Sequence, residues 1–230
     1  MTGQPSPSSS SYHMSIDNAL RDISSVDAAP ASGAATALVL SLAIECLALQ
    51  LALTLGSDSP QDHGLYYTAL GDRLTKWREE ARQSHHNDAA AFAGVLLERS
   101  RRREAPTEDH LLHVTREMEC LAEANSVLLR MAALAHAIAA DAEIMFSGRG
   151  APQARAESGV AMHLAAAALN SVTEMLTLNV HTAVRRANDF GVRMSGVAAI
   201  RVAAAETPSA DAKRRLENEL GEIDWDETVA

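Results

Sequence analysis

A chain of 230 residues is long enough to bury one large core or two small ones. Its net charge of −10 and pI near 5.3 exclude a broad basic face of the kind that binds nucleic acid. Aromatics are only 3% of a chain that is 47% hydrophobic, so the core must be alanine and leucine, which favours close-packed helices over a sheet.

The opening MTGQPSPSSSSYHM has no basic region and no apolar run, which predicts a disordered leader over 1–13 rather than a signal peptide. Ser15 is placed to cap a short helix reaching about Ile23, with Ile16, Leu20 and Ile23 on one side. Pro30 to Gly33 reads as a turn, with Ser32 as the N-cap candidate of a helix over 34–55. That helix is long and apolar enough to span a bilayer. Its flanks, however, carry no Lys, Arg or aromatic belt, and Glu45 and Gln50 lie near its middle. The expectation is a central helix apolar on nearly every face and surrounded by others, with no membrane partner.

Gly56 closes that helix, and Pro60 stands at the start of the next, which runs to about Arg102 with a candidate break at QSHHND. The compact basic run ERSRRRE, flanked by acids, reads as a solvated helix end. Thr107 is the N-cap candidate of a helix over 108–146, with Leu111, Val114, Met118, Leu121 and Leu128 as its apolar stripe. SGRGAPQ is a loop. A further helix covers 154–186 and can continue beyond, and Pro208 precedes a charged final helix and an acidic end. The reading is all-α: a bundle of long antiparallel helices around a buried central one, with a main domain over 14–206 and a C-terminal segment over 207–230.

Two carboxylates fall on apolar faces. Trp77, Ala81, Asp88 and Phe92 share one side of a helix, so a continuous helix buries Asp88, which then needs a partner or a raised pKa suited to acid/base work. The other reading is an Asp that caps a second helix after a break at His85–His86. Glu45 has no solvent face on a helix apolar all round; it either meets a basic partner or lines a cavity. If both line one cavity they can divide acid and base roles. His163 and Asn179 lie along a largely apolar helix as boundary groups or pocket lining. No metal is expected, since adjacent histidines point about 100° apart on a helix and nothing completes a shell. Cys46 and Cys120 lack metal-ligand spacing and read as buried reduced thiols of a cytoplasmic protein. No phosphate loop, nucleophile elbow or dinucleotide fingerprint occurs.

Several segments together resemble the cyclodeaminase half of formiminotransferase-cyclodeaminase and the methenyltetrahydrofolate cyclohydrolases. AAPASGAATAL stands where that family has a glycine-rich turn, ALTLG (52–56) at the end of its central helix, DAAAF (88–92) at its Asp-x-x-Ala-Phe segment, and LNV (178–180) at its late Leu-Asn-Val segment. The resemblance implies a helical enzyme that forms or opens a C–N ring, with Asp88 as a catalytic candidate; Glu45 is an addition that the family does not predict and is paired with Asp88 on its expected burial alone. Ser32, Gly33, Glu157 and Asn179, at segments the resemblance covers, and His163, from its place on the apolar helix, are the substrate-binding candidates. Of the glycine-rich turn only Gly33 remains, and Ala52 and Ala183 replace expected asparagines. A later family Asp falls on Glu157 or on Ala161, depending on the alignment. These departures point to a small-molecule substrate other than folate, such as an amine that cyclises with loss of a leaving group, and to no bound cofactor. Two alternatives are a tetrahydrofolate derivative as substrate and a non-catalytic subunit paired with a homologue. The resemblance also implies a dimer, either a homodimer or a heterodimer with a homologous subunit.

Overall fold

The computed structural model describes residues 32–56, 64–192 and 210–221, with the single positions Ile23 and Ile200. The expected leader, and the helix expected over 15–23 apart from Ile23, lie outside the described residues. Five α-helices are described: α1 (Ser32–Leu55), α2 (Gly64–Glu104), α3 (His110–Ile144), α4 (Arg155–Phe190) and α5 (Ala210–Gly221). There is no strand among the described residues.

α2 is a single helix of 41 residues, uninterrupted through QSHHND. Its buried positions are Tyr67, Leu70, Leu74, Trp77, Ala81, Ser84, Asp88, Val95 and Glu98. These steps of three and four form a heptad-like seam, which suits near-parallel packing of neighbouring helices. α3 repeats the pattern with Val114, Met118, Leu121, Asn125, Leu128, Ala132 and Ala135, and α4 with Ser158, Ala161, Ala165, Ala168, Val172, Leu176, Asn179 and Ala183. The alanines of α4 let its backbone approach its neighbours closely, which explains how a core with so few aromatics fills its space.

Consecutive helices run antiparallel, as their contacts require: Glu45 meets Arg78 while Gly33 meets Asp88, and Asn125 meets Asn179 while Glu117 meets Arg186. α1 packs against α2, α3 and α4, so it is central to the bundle. It is not buried on every face, however. Leu42, Leu49 and Leu53 are 46%, 50% and 42% exposed, forming an open apolar stripe that also carries Glu45. Composition could not reveal that stripe, because alanine and leucine fill both sides of the helix.

Gln50, the other mid-helix polar residue, is fully buried. Its Oε1 accepts from the Ser158 backbone N–H at 3.0 Å and from the Ser158 hydroxyl, while Thr54 Oγ1 accepts from the Ala151 N–H at 2.9 Å. Together they hold the α3–α4 connection, a π-helical turn (Met145–Arg149) and a 3-10 turn (Pro152–Ala154), against the end of α1. A Cβ on Gly150 would lie 1.8 Å from Gln50 Nε2, so this clamp requires glycine there. A second clamp joins α2 and α3, with Arg73 bidentate on Asp141 at 2.7 and 2.9 Å and the Tyr66 hydroxyl donating to the same carboxylate at 3.1 Å. Thr107 begins a 3-10 turn (Thr107–Asp109) instead of capping α3, and no side chain caps that helix. Leu111, expected on the α3 stripe, is 52% exposed.

Candidate functional site

Because α2 is continuous, Asp88 lies mid-helix, and the capping alternative is excluded. The seam turns its carboxylate inward, where it is 7% exposed and faces a cavity of about 300 Å³ between α1, α2, α3 and α4. Ser32, Phe92, Arg99, Leu128, Asn179 and Thr182 line this cavity with it, and Leu178 and His181 are at its edge. Asp88 has no hydrogen bond or ion pair among the described residues. Burial alone pushes its pKa up to about 6. A carboxylic acid that titrates near neutrality, faces a cavity and is unpaired can both give and take a proton.

Gly33 makes this placement possible. A Cβ built on Gly33 would lie 1.9 Å from Asp88 Oδ2 and 2.2 Å from its carboxyl carbon. From the sequence Gly33 is a substrate-binding candidate; what approaches it is the Asp88 carboxylate itself. Opposite, Asn179 Nδ2 donates to Asn125 Oδ1 at 2.7 Å, and both side chains are buried on core seams. That bond fixes the Asn179 amide and directs its oxygen away from Asn125, available as an acceptor.

The cavity therefore brings together Asp88, Ser32 and Asn179, with Gly33 behind the carboxylate. The other three candidates are elsewhere. Glu45 is on the open stripe of α1, held by Arg78 through two hydrogen bonds of 2.7 and 2.8 Å, which keep its pKa low. It does not line the Asp88 cavity, and no Asp88–Glu45 pair forms there. The physical reason is the open face of α1, which supplied a basic partner and solvent where full burial was expected. Glu157 is half-buried near Cys46, one carboxylate oxygen enclosed without a hydrogen bond, and His163 is exposed; neither lines the cavity. Arg99 and Thr182, which line the cavity, and Asn125, which holds Asn179, are the neighbours that sequence reasoning missed. Asn125 carried a signal, a polar residue in step with Met118, Leu121 and Leu128. Among the described residues no cluster of His, Cys, Asp or Glu could hold a metal ion.

A profile of formiminotransferase-cyclodeaminase matches residues 15–187, well over half of the chain. The chain belongs to the formiminotransferase-cyclodeaminase family. Among solved structures, this family member is similar to formiminotetrahydrofolate cyclodeaminase from Thermotoga maritima, with a TM-score of 0.68 and 14% identity over 93% of this chain and 98% of that one. At such identity the likeness speaks to the fold of the cyclodeaminase. No curated protein matches the chain. The family match covers the DAAAF and LNV segments, whose Asp88 and Asn179 meet at the cavity.

Proposed function

We propose that this cyclodeaminase-family protein is an acid/base enzyme that closes or opens a C–N ring on a one-carbon-bearing tetrahydrofolate. The observation that carries the reading is Asp88: buried, unpaired among the described residues, poised near pH 6 and facing a cavity. Family and fold support the folate reading better than the non-folate substrate suggested by the altered turn. In the deaminating direction, an amine of the substrate attacks the carbon of its protonated formimino group (–CH=NH2+), and the C=N π pair moves onto nitrogen as the new C–N bond forms. The attacking amine gives up its proton to the carboxylate of Asp88, and protonated Asp88 passes a proton to the amino nitrogen. The bond from carbon to that nitrogen then breaks, ammonia departs and the methenyl cation of the closed ring remains. Asn179, held by Asn125, offers its amide oxygen to an N–H of the reacting unit. The two reacting groups belong to one molecule, so the cavity's contribution is largely to hold them in register.

Mixing the protein with 5-formiminotetrahydrofolate tests this reading. The expected result is release of ammonia together with the methenyl chromophore, both abolished in Asp88→Asn. Ammonia release at an unchanged rate in that variant would refute the role given to Asp88.

The open stripe Leu42, Leu49 and Leu53 supports a second part of the proposal, self-association through α1 as a homodimer. Exposed leucines one turn or two apart on a single helix form a contiguous apolar band of the kind that oligomer interfaces cover.

A further inference from the structure

α1 joins the bundle part-way along it. Its first residue, Ser32, lines the cavity beside Asp88, whereas α2 continues past Asp88 to Glu104 and α4 past Asn179 to Phe190. From Ser32 the helix runs away from the cavity, toward the contact of Glu45 with Arg78. The N-terminal end of α1 therefore points into the space where Asp88 lies.

The first N–H groups of a helix find no acceptor within it, and they make that end electrically positive. α1 is 24 residues long, and no residue of its first turn is acidic. The negative group at this end comes from another helix. Asp88 lies so close to Gly33, the second residue of α1, that a Cβ there would overlap its carboxyl. Asp88 is also buried and without a hydrogen bond among the described residues, so it is an unpartnered acid held against a positive helix end. The neighbouring Ser32 is likewise unspent. Its backbone carbonyl accepts from Thr36 Oγ1 at 2.9 Å, but its hydroxyl makes no hydrogen bond among the described residues.

Little else balances a charge on Asp88. The other charged or titratable residues that line the cavity are Arg99 on α2 and His181 on α4, while α1 and α3 contribute none. Arg99 gives its Nε to Glu117 at 2.6 Å and is eleven residues from Asp88, roughly 16 Å along the helix axis. His181 is exposed at the rim.

We propose that Ser32 is a positioning residue for Asp88: at the positive end of α1, its hydroxyl turns to donate to the carboxylate whenever that group is charged. The inference rests on the reading of Asp88 as the acid/base group and adds what readies it. The reaction opens with Asp88 accepting a proton, so its carboxyl must begin ionised in a place where burial favours the neutral acid. A helix end and one hydroxyl offset that burial without a formal cation. A lysine or arginine in the same place would hold the carboxylate as an ion pair and lower its basicity much further. The weaker field of a helix end leaves the group able to take up a proton and to release it.

The test is direct titration of the Asp88 carboxyl by NMR, in the full chain carrying aspartate enriched with carbon-13 at the side-chain carboxyl. The Asp88 signal is assigned by its loss in Asp88→Asn. In Ser32→Ala the midpoint should rise by about half a unit to one unit, the scale of one hydrogen bond to a charged group at a helix end. Ser32→Thr, which keeps the hydroxyl, should titrate as wild type. The acid limb of kcat/KM should move with the NMR midpoint in Ser32→Ala, while the high-pH plateau stays within about twofold. A plateau that falls while the limb and the midpoint stay where they are overturns the proposal, because Ser32 would then be binding substrate alone. An unchanged midpoint in Ser32→Ala overturns it whatever happens to turnover. A raised midpoint in a protein that releases no ammonia supports the role of Ser32 and removes only the reaction assigned to Asp88.

Discussion

Asp88→Asn should make the protein more stable at neutral pH. The Asp88 carboxyl titrates at about 6 in the fold, against an ordinary value of 3.8, because burial penalises its charged form. A folded-state pKa above the unfolded one means that the native state holds the proton more tightly. The benefit is full below about pH 4 and is lost as pH rises through 6. Carrying the charge at pH 8 therefore costs the fold roughly 3 kcal/mol. An asparagine of the same shape avoids that cost and still fills the space in front of Gly33. Urea denaturation of both proteins at pH 5 and pH 8 measures it. The variant should gain about 1–3 kcal/mol at pH 8, worth a melting shift of about 2–4 °C per kcal/mol in a chain of this size, and about half as much at pH 5, where the unfolded carboxyl is already ionised. A site held in readiness at the expense of stability behaves this way. A variant equally destabilised at both pH values would refute the reasoning, because it would mean that the carboxylate is a structural partner.

The activity of the wild type should depend on a group with an apparent pKa near 6, read from the pH profile of kcat/KM, and that limb should vanish with Asp88. Gly33→Ala should lower activity at least tenfold although alanine favours a helix by about 1 kcal/mol, since its methyl would occupy the Asp88 carboxyl position; melting and turnover measured together separate the two effects. Glu117→Leu should cost about 3–5 kcal/mol in denaturant titrations, because it strands the arginines that the carboxylate holds. Leu49→Glu should give a monomer in light scattering where the wild type gives a dimer, and a monomeric wild type would refute the proposed α1 interface.

The bundle was legible because its seams are written in steps of three and four, and the position of Asp88 followed from its spacing to Trp77, Ala81 and Phe92. Asn179 was legible as a polar residue on an apolar helix and through the LNV segment. Glu45 misled for a physical reason: an alanine- and leucine-rich helix gives no contrast between its buried and open sides. Arg99 was hidden within ERSRRRE, where neighbours on the same short run point to different surroundings. Arg101 reaches Glu98 on the outer side, while Arg99 turns toward Glu117 and the cavity. Whether a charge in such a run is solvated or enclosed depends on what α3 and α4 present to it, and those residues are far along the chain.

The unbroken course of α2 has a consequence for how this protein can change over time. Asp88 and Arg99 share one rigid rod, so no loop can absorb a length change between them. One inserted residue there would turn everything beyond it by about 100° and advance it by about 1.5 Å, moving Arg99 off the cavity wall and taking Val95 and Glu98 out of the seam. Insertions at the non-helical Pro106 would leave the distance between the two side chains as it is. The interval between these two cavity-lining side chains is thus set by a count of residues, and descent can alter the side chains themselves far more readily than that interval.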